Sequence, residues 1–154
     1  MQVPDANVRS STYYIAQTSV HCPSCNQCTR VLAVALPAPH EVLIEDEWQD
    51  ADVSAFIFYV TEVPEEVLQL LTQTSGFFRS SRMEDTPDPC LTNHCEHCGT
   101  PVSDDQLHCE PGGFMPGYAD EAQAISLIEV RKALRAVAAG YAVDPEFLVH
   151  TPKR

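Results

Sequence analysis

The chain has 154 residues, of which 44% are hydrophobic, and a formal charge of −13, which together indicate one acidic globular domain. It has no run of about 18 apolar residues, and its start lacks the basic and apolar parts of a signal peptide, so we expect a cytoplasmic protein without a membrane span. Seven cysteines are too few for a disulfide scaffold. In a reducing compartment they more often hold metal or perform redox chemistry.

The sequence predicts an α+β fold of mostly antiparallel strands with one or two helices. Residues 1–12 form a polar lead-in, residues 13–130 a zinc-binding α+β domain, and residues 131–154 a basic segment packed on the same domain. β-Branched and apolar runs predict strands, and prolines and glycines mark their ends. The predicted strands are Tyr13–Val20, Arg30–Leu36, Glu41–Trp48, the central Ser54–Val63, and Phe77–Met83.

A helix is predicted to begin at Pro64 and to end at Gly76, because proline suits the first helical turn and two glutamates follow it. Composition predicts a loop over Glu84–Pro89 and a break at Pro111–Gly113. The stretch Asp120–Ala139 fits either one long alanine-rich helix or a strand followed by a short helix. We favour a strand over residues 124–130 and a short helix after it.

Charge is distributed unevenly along the chain. Residues 1–130 carry a local −16, and the last 24 residues carry +3. The densest acidic run is Glu41–Asp52, with six acids and no base. Such a run is typical of a solvated face that confers solubility, and the alternative is a landing patch for a basic partner protein. Phosphate repulsion disfavours nucleic-acid binding by the body of the chain and leaves it open for the basic segment.

Two Cys-x2-Cys turns are the strongest chemical signal. Cys22 and Cys25 form one, and Cys95 and Cys98 form the other, with 69 residues (26–94) between them. Two such turns, or knuckles, supply the four thiolates of a tetrahedral structural zinc site, so the expected architecture is zinc-ribbon-like. Asn26 and Gly99 follow the knuckles and tolerate the positive φ that a returning chain needs. An iron–sulfur cluster and a thioredoxin-like redox pair are the alternatives.

The remaining cysteines and the histidines are interpreted as non-ligands. Cys28, Cys90 and Cys109 lie outside the two knuckles, so we expect ordinary thiols there, and ligation by Cys28 or by the His108–Cys109 pair is the alternative. Four cysteines already saturate zinc and leave no open position for water. Four histidines are therefore expected beside the ligands rather than on the metal: His21, His94, His97 and His108.

The segments YYIAQTSVHCPSC, VLAVALP and NHCEHCGTPVSDDQLHCEPGGFM resemble a group of uncharacterised bacterial proteins. These zinc-ribbon-like proteins share a C-x2-C hairpin, an NHCEHCG knuckle and a Leu-His-x-Glu-Pro-Gly-Gly segment. The resemblance covers most of residues 13–130 and implies zinc ligands at Cys22, Cys25, Cys95 and Cys98. It implies no particular activity.

We find no nucleotide-binding loop, nucleophile elbow or zinc-protease motif, so the sequence favours a non-enzymatic role. The leading hypothesis is that the protein is an acidic protein-interaction module with a structural zinc ion. In one variant it is an inhibitor or immunity-type partner of a basic protein. The second is a metal-dependent hydrolase or nuclease that uses His40, His94, His97, His108 and nearby acids. The third is nucleic-acid binding through the basic segment Arg131–Arg154.

Overall fold

The computed structural model describes residues 6–81, 89–102, 107 and 125–143, and most of these lie in antiparallel strands. The first elements are β1 (Val8–Ser10), β2 (Tyr13–His21), β3 (Cys28–Leu36), β4 (His40–Ile44), β5 (Glu47–Ala51) and β6 (Ala55–Glu62). They are followed by α1 (Glu65–Thr74), β7 (Phe78–Ser81), β8 (Cys90–His94), β9 (Pro101–Val102), β10 (Ser126–Val130) and β11 (Leu134–Val143).

Eight strands form one sheet in the order β10-β2-β3-β6-β11-β1-β4-β5. The predicted β2–β3 hairpin and the predicted central strand, β6, are both confirmed. The even-numbered residues of β3, such as Leu32 and Val34, pack into one hydrophobic cluster, and its odd-numbered residues, such as Val31 and Ala33, pack into a second. The sheet is therefore covered on both faces here, which explains why β3 is an uninterrupted apolar run.

The α+β fold class is wrong, because the described residues form a β-rich structure with a single ten-residue helix. The expected short helix after residue 130 is instead strand β11, whereas the strand predicted before it is confirmed as β10. Burial alternates along β11, with Leu134, Ala136 and Ala138 buried and Arg135 and Ala139 exposed. Pairing with β6 and β1 outweighs the helix preference of alanine, because tertiary context overrides intrinsic propensity.

The helix α1 lies on a second, three-stranded sheet of order β7-β8-β9. It begins after Pro64 as predicted, and its last turn closes where the Ser75 N–H donates to the Leu71 carbonyl, one residue before Gly76. Val67 and Leu71 face the same hydrophobic cluster as Leu32 of β3, so helix and small sheet pack against the large sheet. This packing places β8 beside β3 and β6.

The predicted strand Glu41–Trp48 is a hairpin of two strands, β4 and β5, and this prediction was therefore wrong about its shape. Glu45 and Asp46 form the two-residue turn with φ of 51° and 66°. Left-handed residues at both positions match the twist of a tight hairpin, but without a glycine the sequence does not signal the turn. β5 ends up at the edge of the large sheet.

At the N-terminus, Val8–Ser10 of the expected polar lead-in form β1 between β11 and β4. The predicted strand at Phe77–Met83 is β7 as far as Ser81, and Arg82 and Met83 fall outside the described residues. So do most of the predicted Glu84–Pro89 loop and the break at Pro111–Gly113. Within the part of the chain that is described, no helix has the length and apolar character to cross a membrane.

Candidate metal centre

The two Cys-x2-Cys knuckles have the same backbone geometry. In the first, the Cys22 N–H donates to the Gln27 carbonyl and the Asn26 N–H donates to the Cys22 carbonyl, both at 2.9 Å. In the second, the Cys95 N–H donates to the Thr100 carbonyl at 2.9 Å and the Gly99 N–H donates to the Cys95 carbonyl at 3.0 Å. The residues after the knuckles have positive φ, 59° at Asn26 and 78° at Gly99, which confirms the prediction for both positions.

The folded chain brings the sulfurs of all four knuckle cysteines together. Cys22 Sγ lies 3.6 Å from Cys98 Sγ, and Cys25 Sγ lies 3.6 Å from Cys95 Sγ. All four sulfurs lie within 4.8 Å of one another. A tetrahedron with zinc–sulfur bonds of about 2.3 Å has sulfur–sulfur edges of about 3.8 Å, so this cluster can hold a metal ion.

The electrostatics of the cluster favour a cation. The hydroxyl and backbone N–H of Thr100 lower the pKa of the Cys98 thiol to about 6. Burial opposes ionisation of Cys95, but the backbone N–H groups of Cys98 and His97, together with hydrogen bonds from the Cys25 and Cys22 side chains, outweigh it and lower its pKa. Although a backbone hydrogen bond from Gln27 favours the Cys25 thiolate, burial and the neighbouring sulfurs raise the pKa of that thiol to about 12. Four thiols this close together cannot all ionise without a counter-charge, because the thiolates repel one another. A bound divalent cation supplies that counter-charge.

The other described cysteines lie apart from the cluster. Cys28 is exposed at the start of β3, and Cys90 is buried in β8 with its sulfur 3.6 Å from the Thr92 hydroxyl. Neither forms a disulfide. Both positions agree with the expectation that they are ordinary thiols, whereas Cys109 lies outside the described residues.

Three of the four histidines predicted to lie beside the ligands are described, and they have different environments. His94 is buried, with Nδ1 3.2 Å from the Phe77 carbonyl. His97 is exposed, with Nε2 3.0 Å from the Cys28 carbonyl. His21 is exposed at the end of β2, and His108 falls outside the described residues.

The second knuckle also supplies side chains that complete the edge of β3. β3 pairs with β6 only over residues 34–36, so its first half lacks a neighbouring strand on that side. The amide of buried Asn93 takes that place: Oδ1 accepts from the Leu32 N–H and Nδ2 donates to the Leu32 carbonyl, both at 2.8 Å. Glu96 Oε1 then accepts from the Arg30 N–H at 2.6 Å.

The His97 ring contacts the Cys28 carbonyl. Three alternate residues at the start of β3 therefore have hydrogen-bond partners in the NHCEHCG segment: Cys28, Arg30 and Leu32. This function of Asn93 and Glu96 was missed from the sequence, because local spacing does not reveal which strand edge lies opposite them. The segment combines two cysteines of the four-sulfur cluster with side chains that substitute for a β-strand. Folding of the knuckle and closure of the β3 edge are thus coupled.

The residues of the hydrolase hypothesis are not gathered in the part of the chain that is described. His40 is buried, with Nε2 2.6 Å from the Tyr141 hydroxyl and Nδ1 3.0 Å from the Pro37 carbonyl. Among the described residues, the four cysteines are the one group of His, Cys, Asp or Glu side chains close enough to share a metal.

Comparisons with family models, with curated proteins and with solved structures give no match to this chain. The resemblance drawn from the NHCEHCG segment therefore stays a prediction, and the site is interpreted from its own geometry.

Proposed function

We propose that the four-cysteine cluster holds one Zn²⁺ as a structural ion, and that the protein acts in a reducing cytoplasm as an acidic interaction module for a basic protein. The observation that carries the metal assignment is the convergence of four knuckle sulfurs within 4.8 Å. Four thiolates fill the tetrahedral shell of zinc, so the ion has no position for a reacting water. A saturated site stabilises structure, which leaves the molecular surface to carry the function.

The surface that supports an interaction function is the acidic hairpin, defined as residues 40–52 with strands β4 and β5. Five of its six carboxylates are exposed, and none of these five forms a side-chain ion pair with a described residue: Glu45, Asp46, Glu47, Asp50 and Asp52. The sixth, Glu41, is bound by Arg9. Exposed Ile44 adds an apolar contact beside the turn.

The hairpin is ordered and its charges are concentrated, which is what steered association with a basic surface requires. A nucleic-acid-binding protein has a basic surface of this kind. One form of the proposed function is therefore that this chain inhibits such a protein, as an immunity-type partner does. The charges face outward from an edge strand, where they also prevent pairing with further copies of the chain.

The metal part is tested by elemental analysis of protein purified without added metal. One zinc per chain is expected, retained until the chain unfolds. A second metal that exchanges at once with a weak chelator would instead favour the hydrolase hypothesis.

The interaction part is tested by affinity capture with a charge-neutralised hairpin. The hairpin variant replaces three acids at the tip: Glu45→Gln, Asp46→Asn and Glu47→Gln. A control variant removes the same charge beside and within α1: Glu62→Gln, Glu65→Gln and Glu66→Gln, all exposed. A specific basic partner should be captured by the wild type and the control, should be lost with the hairpin variant, and should dissociate as salt rises. Equal capture by both variants would reject the hairpin as the binding surface.

A further inference from the structure

A cavity of about 500 Å³ lies on the large sheet near the ends of β1, β4, β5 and β11. Its volume is within the range of small-molecule pockets, about 300–1,000 Å³. The residues that line it include Arg9, Ser10, His40, Glu41, Asp50 and Arg135. It contains none of the four cysteines, and it shares His40, Glu41 and Asp50 with the acidic hairpin but not the tip residues 45–47 that the hairpin variant replaces, so the two proposals can be tested separately.

Four charged residues cross the sheet beside this cavity in one register, and we call them the charge row. Arg135 pairs with Arg9, Arg9 pairs with Glu41, and Glu41 pairs with Asp50. Residues directly opposite in antiparallel strands point to the same face, so the row presents two positive charges followed by two negative charges. The cavity therefore has a positive end at β11 and a negative end at β5.

The two middle members of the charge row neutralise each other. Arg9 donates two hydrogen bonds to the Glu41 carboxylate, at 2.9 and 3.1 Å, and its guanidinium lies 3.9 Å from the centre of the Trp48 ring. Within the described part of the chain, Arg135 and Asp50 have no side-chain hydrogen bond or ion pair. One cation and one anion thus remain available at opposite ends.

We propose that this cavity binds a short zwitterionic peptide, with its carboxylate at Arg135 and its ammonium group at Asp50. Three strand spacings separate these two residues, about 14 Å. An extended peptide spans about 3.3–3.6 Å per residue, so three or four residues match that distance. A simple anion is disfavoured by Asp50 and by the net charge of −13, whereas a zwitterion has no net charge to be repelled.

The test titrates the purified full-length protein with tetra-alanine, by calorimetry and by the fluorescence of Trp48, the single tryptophan of the chain. We expect saturable binding with a Kd of about 1 mM or lower. Acetylating the amino end or amidating the carboxyl end should each weaken binding about tenfold.

Variants separate the two ends of the site. Arg135→Gln should weaken binding of the free peptide and leave binding of the amidated peptide unchanged. Asp50→Asn should weaken binding of the free peptide and leave binding of the acetylated peptide unchanged. Arg131→Gln is the matched control, because Arg131 is exposed, pairs with Glu129 and lies outside the cavity. Absence of saturable binding, or equal affinity for the doubly blocked peptide, would overturn the proposal, as would full affinity in both cavity variants.

Discussion

Replacing Cys95 by serine should remove the metal and destabilise the whole chain. Cys95 is fully buried, and its sulfur pairs across the cluster with that of Cys25, 70 residues earlier. A cross-link that closes a loop of this length constrains the unfolded chain by about 4 kcal/mol, if the metal is treated like a covalent link. That is a large part of the free energy of unfolding of a typical domain, roughly 5–15 kcal/mol.

The assay is thermal unfolding followed by circular dichroism, with zinc measured in the same samples. Because each kcal/mol moves the midpoint of a domain of this size by about 2–4 °C, Cys95→Ser should lower it by about 10 °C and should contain no zinc. Cys28→Ser is the control: its side chain is exposed, and its contacts with β2 and with His97 are made by its backbone. It should change the free energy of unfolding by less than about 0.5 kcal/mol.

Two results would refute this reasoning. Cys95→Ser with one zinc per chain and an unchanged midpoint would mean that the sulfur cluster is not the metal site. Loss of zinc from Cys28→Ser to the same extent would mean that the ligand assignment is wrong.

Three further predictions concern the parts of the fold around the site. Asn93→Leu leaves the buried N–H and carbonyl of one β3 residue without partners and should lower the free energy of unfolding by about 3 kcal/mol, measured in urea. Gly140→Ala should lower the free energy of unfolding, because the added methyl group would overlap the ring of Phe58 on β6. Gly76→Ala should leave it unchanged, because nothing lies within 4 Å of the added group. Arg9 lowers the pKa of the Glu41 carboxyl, so this ion pair stabilises the fold above the usual pKa of 4.5 and is lost as pH falls through the lowered value. NMR titration should show the Glu41 pKa returning towards 4.5 in Arg9→Gln.

Each of these predictions has an outcome that contradicts it. An unchanged urea midpoint in Asn93→Leu would mean that the Asn93 amide does not complete the β3 edge. Equal stability of Gly140→Ala and Gly76→Ala would place the aromatic ring elsewhere. A Glu41 pKa of 4.5 or higher in the wild type would rule out the ion pair with Arg9.

The four-cysteine cluster could be predicted from the sequence because its determinants are local. A Cys-x2-Cys turn fixes the distance between its own two sulfurs, and Asn26 and Gly99 signal the positive φ that closes each turn. The β2–β3 hairpin and α1 were also predictable, since their apolar patterns and end signals lie within a few residues of one another.

The fold class and the contacts that complete the edge of β3 could not be predicted from the sequence. Residues 134–143 contain four alanines and one glycine, a composition that leaves helix and strand close in energy, and their pairing with β6 and β1 decides for strand. Similarly, the acidic hairpin has no glycine at its turn, so only its pairing shows that it is two strands.

The sequence by itself predicted the four cysteines that converge, one acidic surface and five of the eleven described strands (β2, β3, β6, β7 and β10), since each depends on neighbouring residues. The tertiary structure decided what those parts meet: the NHCEHCG segment closes the edge of β3, and a +3 C-terminal segment contributes Arg135 to a cavity that also contains Asp50. The charge of −13 therefore conceals a local arrangement in which both signs face one cavity. The physical reason is that contacts between residues distant in the chain follow from sheet pairing, which no local pattern specifies.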